Sequence, residues 1–189
     1  MEVPAPSGTR EPMRYVALLR GINVGGHTVK MEALRRVFEA VGFGNVASYI
    51  NSGNVFFDST EGDREALTGT IEAALEAALG YAVPTFLRTP AELASILERD
   101  PFAATGPRDD LRFCVTFTAD PIPPDLPLPL ASSKNDMEIV AVAPHEAFVV
   151  WRILAGRPPS GRFPPDVLPT RNTTRFFHTL RKILAAATR

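Results

Sequence analysis

Two short stretches concentrate the residue types that recognise a small charged or polar molecule. Arg20, Gly21, Asn23, Gly25, Gly26 and Lys30 lie near the start of the chain, and Asn51, Ser52, Gly53 and Asn54 follow further on. An arginine presents a planar fork of N–H donors, a lysine a point charge, and an asparagine both a donor and an acceptor. Glycines take positive φ and let a ligand approach the backbone closely. A helix start adds unpaired N–H groups and the positive end of a dipole, so an anion is well served there. The competing reading is a tight turn in which Asn23 bonds its own backbone. The spacing matches neither a Walker loop nor a dinucleotide fingerprint.

Other chemistries find little footing. His27, His145 and His178 are far apart and form no HxH or HExxH pattern, so no metal site is expected. Ser52 sits in Asn-Ser-Gly-Asn rather than a GxSxG elbow, and no histidine is placed by sequence as its base. The acidic residues are scattered, so no glycosidase-like carboxylate pair stands out. Cys114, the single cysteine, excludes an intrachain disulfide, a CxxC motif and a cysteine-rich zinc site. No cofactor is implied, and neither an enzymatic reaction nor its absence can be read.

The elements that must position these residues follow from periodicity. Tyr15 to Arg20 reads as a strand, and Met31, Leu34, Val37, Phe38 and Val41 fall on one helical stripe, so the first stretch is a strand-to-helix loop. Asn45 to Ile50 reads as a second strand, Asn51 to Asn54 as a turn and Val55 to Phe57 as a third strand. Gly62 to Leu79 carries Leu67, Ile71, Ala74, Leu75, Ala78 and Leu79 on one face, and Tyr81 to Arg88 supplies a fourth strand. Strand, helix, strand, strand, helix, strand is the split βαβ, ferredoxin-like pattern. Its right-handed crossover makes strands one and two parallel with strand three between them, giving the order four, one, three, two. The Arg20 loop and the Asn51 turn then share one edge of the sheet, and Arg88 lies at the opposite edge. The first strand is apolar on both faces, which predicts cover on both.

Residues 89–189 read as a second, smaller α+β half packed on residues 13–88, with 1–12 a disordered tail. Thr89-Pro90-Ala91-Glu92 is a capping box with proline at the first helical position. Leu111, Phe113, Val115 and Phe117 alternate with polar partners as a strand. Met137 to Val142 and Ala147 to Ile153 form two more, turning at His145, between proline-rich connections at 121–129 and 158–169. A final helix is expected to start within Pro169 to Thr174, with Phe176, Leu180, Ile183, Leu184 and Ala187 on its apolar face. Arg171 and Asn172 at that start are a further anion-facing candidate, whereas Arg175, His178, Arg181 and Lys182 read as a solvated face.

At 189 residues the chain has ample length for a core, and 45% hydrophobic with 22% charged residues is an ordinary globular balance. A net charge of -1 removes the usual argument for general binding to nucleic acid or anionic membrane. Met1 to Pro12 lacks the apolar core of a signal peptide and no segment has the length of a membrane span, so a cytoplasmic location is expected. Nothing fixes an oligomeric state.

The run Tyr15 to Gly26, with Lys30-Met31, Leu34-Arg35, Tyr49, Ser52-Gly53-Asn54-Val55 and the late Thr170-Arg171-Asn172, resembles the bacterial family called domain of unknown function 1697. The resemblance covers nearly everything after Met13 and implies a ferredoxin-like first half with a different α+β second half. It implies no activity. Two function classes remain: a protein that binds a small polar or anionic ligand at the shared edge, as enzyme or not, and an RNA-binding module of RRM-like topology. A protein-interaction domain is a third. The RRM reading needs an open sheet face with stacking aromatics, for which strand three offers only Phe56 or Phe57. Mixed single-stranded RNA is therefore expected to bind more weakly than about micromolar at physiological salt; tight binding with a steep salt dependence in a gel-shift titration would overturn this.

Overall fold

The computed structural model describes residues 10–26, 28–106 and 108–189. In these residues two antiparallel sheets and four helices form an α+β architecture. The first sheet contains β1 (Met13–Leu19), β2 (Gly44–Ser48), β3 (Asn54–Ser59) and β4 (Thr85–Arg88), in the order β2-β3-β1-β4. Helix α1 (Met31–Val41) links β1 to β2, and α2 (Arg64–Leu79) links β3 to β4. Strand three lies between one and two, the arrangement expected from the crossover rule.

Alternation along β1 and β3 divides the apolar side chains between the two faces. Tyr15, Ala17, Leu19, Val55 and Phe57 pack under Leu34 and Phe38 of α1 and Leu67, Ile71 and Leu75 of α2. Phe57 sits 4.5 Å from Phe43 and 5.6 Å from Tyr15, ring to ring. Val16, Leu18, Phe56 and Phe86 face the other way, into a core shared with the second half. Among the described residues both faces of this sheet are covered, and Phe56 and Phe57 are both buried.

The second half begins with α3 (Pro90–Arg99), whose Thr89 and Glu92 form the reciprocal capping box. Strands β5 (Leu111–Thr118), β6 (Leu130–Ala131), β7 (Met137–Ala143), β8 (Glu146–Arg152) and β9 (Asn172–Phe176) make the second sheet, ordered β6-β7-β8-β5-β9. Helix α4 (Phe177–Ala187) and α3 fill the space between the sheets: Leu93, Ile96, Phe177, Leu180 and Ile183 join Val115, Phe117 and Phe148 in the shared core. The outer face of the second sheet is covered by the proline-rich connections, through Ile122, Leu126, Leu128, Phe163, Val167 and Leu168.

Several expectations are corrected. The last helix does not start within Pro169 to Thr174: Asn172–Phe176 is strand β9, paired with β5, and the helix starts at Phe177 without a side-chain cap. Threonines serve strand and helix start equally, and the free edge of β5 decides. The apolar face of α4 accordingly begins at Phe177, while Phe176 is exposed on the sheet. Arg175, expected on a solvated face, is buried. The fourth strand starts at Thr85 instead of Tyr81, and the second ends at Ser48. Of the expected disordered tail, residues 1–9 lie outside the described residues, and Arg10 to Pro12 are exposed without regular structure.

Asp136 ties the second proline-rich connection to the sheet. Its carboxylate accepts from Ser160 N at 2.7 Å, Gly161 N at 2.9 Å and Ser132 Oγ at 2.8 Å. A Cβ at position 161 would collide with that carboxylate, so glycine is required there. The Ser160 N–H foremost, with Ser132 and Gly161, holds the Asp136 carboxyl below its ordinary value of 3.8. A depressed carboxylate contributes stability that is complete above the unfolded value and lost as pH falls through the folded one. Asp136→Asn is therefore expected to flatten the fall in unfolding free energy below about pH 4, measured by urea titration across acid pH.

Candidate functional site

The two predicted stretches do meet at one sheet edge, and their polar groups hold each other. Leu19 N donates to Gly53 O at 2.8 Å where β1 ends. Asn23, at φ 55°, donates through Nδ2 to Asn51 O at 2.8 Å and Val29 O at 3.1 Å, and its Oδ1 accepts Val29 N at 2.6 Å. The Asn23 side chain thus closes the loop on itself and pins it to the next turn. Gly53 packs against Ile22 and Leu19, where a Cβ would stand 3.0 Å from both. Gly21, Gly25 and Gly26 all take positive φ. Lys30 is exposed at the N-cap of α1, which has no side-chain cap. Asn54 is fully buried, donating to Tyr49 O at 3.1 Å and Ser52 Oγ at 3.0 Å.

A residue that sequence reasoning set aside completes this edge. Arg175 reaches from β9 and donates through Nε to Asn54 Oδ1 at 2.7 Å, and through Nη2 to Leu19 O at 2.9 Å and Ser52 O at 3.1 Å. Its Nη1 serves Thr173 Oγ1 at 2.9 Å and Thr174 O at 3.0 Å. It is 8% exposed, and none of its partners is a carboxylate. Burial lowers its pKa to about 10, which leaves it charged at neutral pH. The only available signal was the alternation from Thr173 to Arg175, which a capped helix start obscures.

Arg20 and Arg171 lie next to this edge. Arg20 Nη1 donates to Thr170 O at 2.7 Å, and Arg20 N bonds Pro84 O at 2.9 Å. Arg171 pairs with Glu72 of α2, whose Oε1 also accepts Thr85 N at 2.7 Å. Asn172 turns to Pro169 O at 2.6 Å and so shapes its own loop. Arg171 opens onto a cleft of about 1090 Å³ that runs along β4 between α2, α3 and the β7–β8 turn.

The cleft is walled by both halves. In its wall, Arg88 of β4 pairs with Glu146 of β8 at 2.6 Å, both almost fully buried, and the guanidinium lies 5.2 Å over the Phe117 ring. Arg64 and Glu92 pair at 2.9 Å across α2 and α3. Among the described residues, the side chains of Arg99, Asp120 and His145, which also line it, make no hydrogen bond or ion pair. Arg88 does lie away from the Arg20 loop, opposite Val16 of β1. No group of three or more His, Cys, Asp and Glu among the described residues is placed to hold a metal ion. Cys114 is buried in β5, and burial pushes its thiol well up, which disfavours the thiolate form.

The family model described as protein of unknown function (DUF1697) matches residues 13–148. The chain belongs to the DUF1697 family. No curated protein matches it. A solved structure, that of the conserved bacterial protein SP0830 from Streptococcus pneumoniae, is similar with a TM-score of 0.70 at 22% identity, over 95% of this chain and 100% of that one. At that identity the likeness speaks for the fold alone. No helix among the described residues of this DUF1697 chain is long and apolar enough to cross a membrane. The matched residues contain the Arg20 loop and the Asn51 turn but end before β9, so Arg175 lies outside them.

Removing Arg175 strips donors from the buried acceptors of Leu19 and Asn54 and from the part-buried Ser52 carbonyl at once. Arg175→Met is expected to lower the unfolding free energy by about 3 kcal/mol or more, read from urea denaturation. Arg175→Lys should recover less than half, because a single ammonium cannot occupy the Nε and Nη positions together. A loss below about 1 kcal/mol would remove its structural role.

Proposed function

We propose that this DUF1697 chain binds a small polar ligand bearing both a negative and a positive group, in the cleft between its two halves. The observation that carries this reading is the cleft's lining, in which four arginines stand against five carboxylates with His145 between them. A balanced lining favours a zwitterion over a polyanion, since a strand of nucleic acid gains affinity from cations unopposed by carboxylates. Most of these charges are paired with each other, which holds them in fixed positions for a ligand to bridge. Among the described residues, Glu65, Arg99, Asp120 and His145 are charged or titratable lining groups whose side chains make no hydrogen bond or ion pair. The Arg20 loop supports the cleft: its bond to Thr170 O steadies the residue before Arg171.

A second reading keeps the ligand on the Arg20 edge itself. It is favoured by the cation of Arg20 at the end of β1 and by exposed Lys30 at an α1 start that lacks a side-chain cap. It is weakened by Asn23 and Asn54, whose amide groups are already engaged within the protein. Covered sheet faces leave the RNA-binding reading without its stacking platform.

A thermal-shift screen of amino acids, dipeptides, phosphorylated metabolites and nucleotides tests both, because a ligand that binds only the folded chain raises its apparent stability. Amino acids or dipeptides are expected to raise Tm, and Arg99→Gln is expected to reduce the shift while Arg20→Ala leaves most of it. Loss of the shift in folded Arg20→Ala but not in Arg99→Gln would move the ligand to the loop. No shift with any compound at millimolar concentration would overturn the proposal.

A further inference from the structure

On the far side of the second half, beside the start of α4, a hollow of about 220 Å³ opens to the surface. Leu111, Phe113 and Phe177 form its apolar walls, and Arg108, Arg112, His178 and Arg181 stand at its rim, Arg108 already paired with Asp110 at 2.7 Å. No carboxylate lines it. We propose that this hollow is a second binding site, separate from the cleft, and that it takes a small aromatic carboxylate.

Size and chemistry both point to that class. A cavity of about 150 Å³ lined by apolar side chains accommodates benzene, so the space suits one substituted ring. Phe113 is stacked at 4.7 Å on Phe102, and Phe177 meets Phe102 edge-on at 5.2 Å, so the aromatic walls are held by the core and do not fold into the space. A ring entering beside them gains the offset or edge-on contacts that aromatic pairs prefer. Its carboxylate would then stand at the rim, where a guanidinium offers a matching fork.

The rim groups differ in how far they are already engaged. Arg181 is bonded to Asp100 at 3.0 Å and lies 5.2 Å over the Phe177 ring, so it closes one wall. Arg112 bonds only main-chain oxygens, those of Asp109 at 2.9 Å and Leu111 at 2.8 Å, both through Nη1. Its charge therefore has no carboxylate partner among the described residues, and Nε and Nη2 are open. The His178 ring lies parallel to Phe176 at 5.7 Å, which fixes its plane at the mouth. A ligand carboxylate supplies the partner that Arg112 lacks.

Isothermal titration calorimetry of the full chain with sodium benzoate tests the site, with benzamide and inorganic phosphate as probes that keep only the ring or only the anion. Saturable benzoate binding is expected, with benzamide and phosphate each weaker by about tenfold, the worth of one charge-assisted contact. Arg112→Gln and, independently, His178→Leu should weaken benzoate, Arg112→Gln by about tenfold, whereas Lys182→Gln on the exposed face of α4 should not. Both positions at the mouth are exposed, so these variants are expected to unfold at the parent's temperature. Absence of saturable binding up to about 10 mM benzoate, or an affinity unchanged in both mouth variants, would overturn the proposal. Phosphate binding as tight as benzoate would overturn the aromatic part of it. Each of these readouts is independent of whether the cleft holds a ligand.

Discussion

A buried guanidinium with no carboxylate beside it joins the two halves of this protein. Taking a charge out of water costs several kcal/mol per ion unless hydrogen bonds replace its hydration. Around Arg175 the replacement is supplied by main-chain carbonyls of Leu19 and Ser52, by the Asn54 amide and by two threonines of its own strand. Those acceptors can be gathered only where β1 ends and the 51–54 turn folds back. The position of β9 and the shape of the Arg20 edge therefore depend on one another. Asn54 and the 51–54 turn thus have a definite task, which is to present oxygen atoms to a cation from the other half.

The remaining ties between the halves differ in kind. Arg88 with Glu146 is a buried ion pair, compensated charge for charge, and Arg171 with Glu72 is a more exposed one. Both line the cleft, while Arg175 does not. The shared apolar core also joins the halves, and its non-directional attraction would tolerate sliding. Directional bonds at separate points fix the register, which is what a cleft of defined shape requires.

How much was legible follows from how local each signal is. The strand order of the first sheet and the meeting of the Arg20 loop with the Asn51 turn were readable, because periodicity names the elements and the handedness of crossovers arranges them. Asn23 was ambiguous in sequence between binding a ligand and bonding its own loop, and its three bonds in the fold are of the second kind. Strand β9 was not readable. Asn172, Thr173 and Thr174 are good helix-capping residues, and Arg175 resembles any surface arginine until the acceptors that surround it, drawn from positions more than a hundred residues away, are assembled. The cleft was invisible for the same reason, since its walls come from five separate segments.

The outer margin of β4 has a consequence of its own. A strand at the end of a sheet offers unpaired main-chain groups that can recruit a strand from another molecule. Here Thr85 N is taken by the Glu72 carboxylate and Leu87 O by the Arg88 guanidinium at 2.7 Å. At the other margin, β2 is interrupted by an irregularity between Gly44 and Ala47, with Asn45 at φ 48°. The first sheet is thus finite by construction: side chains stopper outward main-chain groups on one border and a kink spoils the other, which works against a strand from another copy joining this sheet.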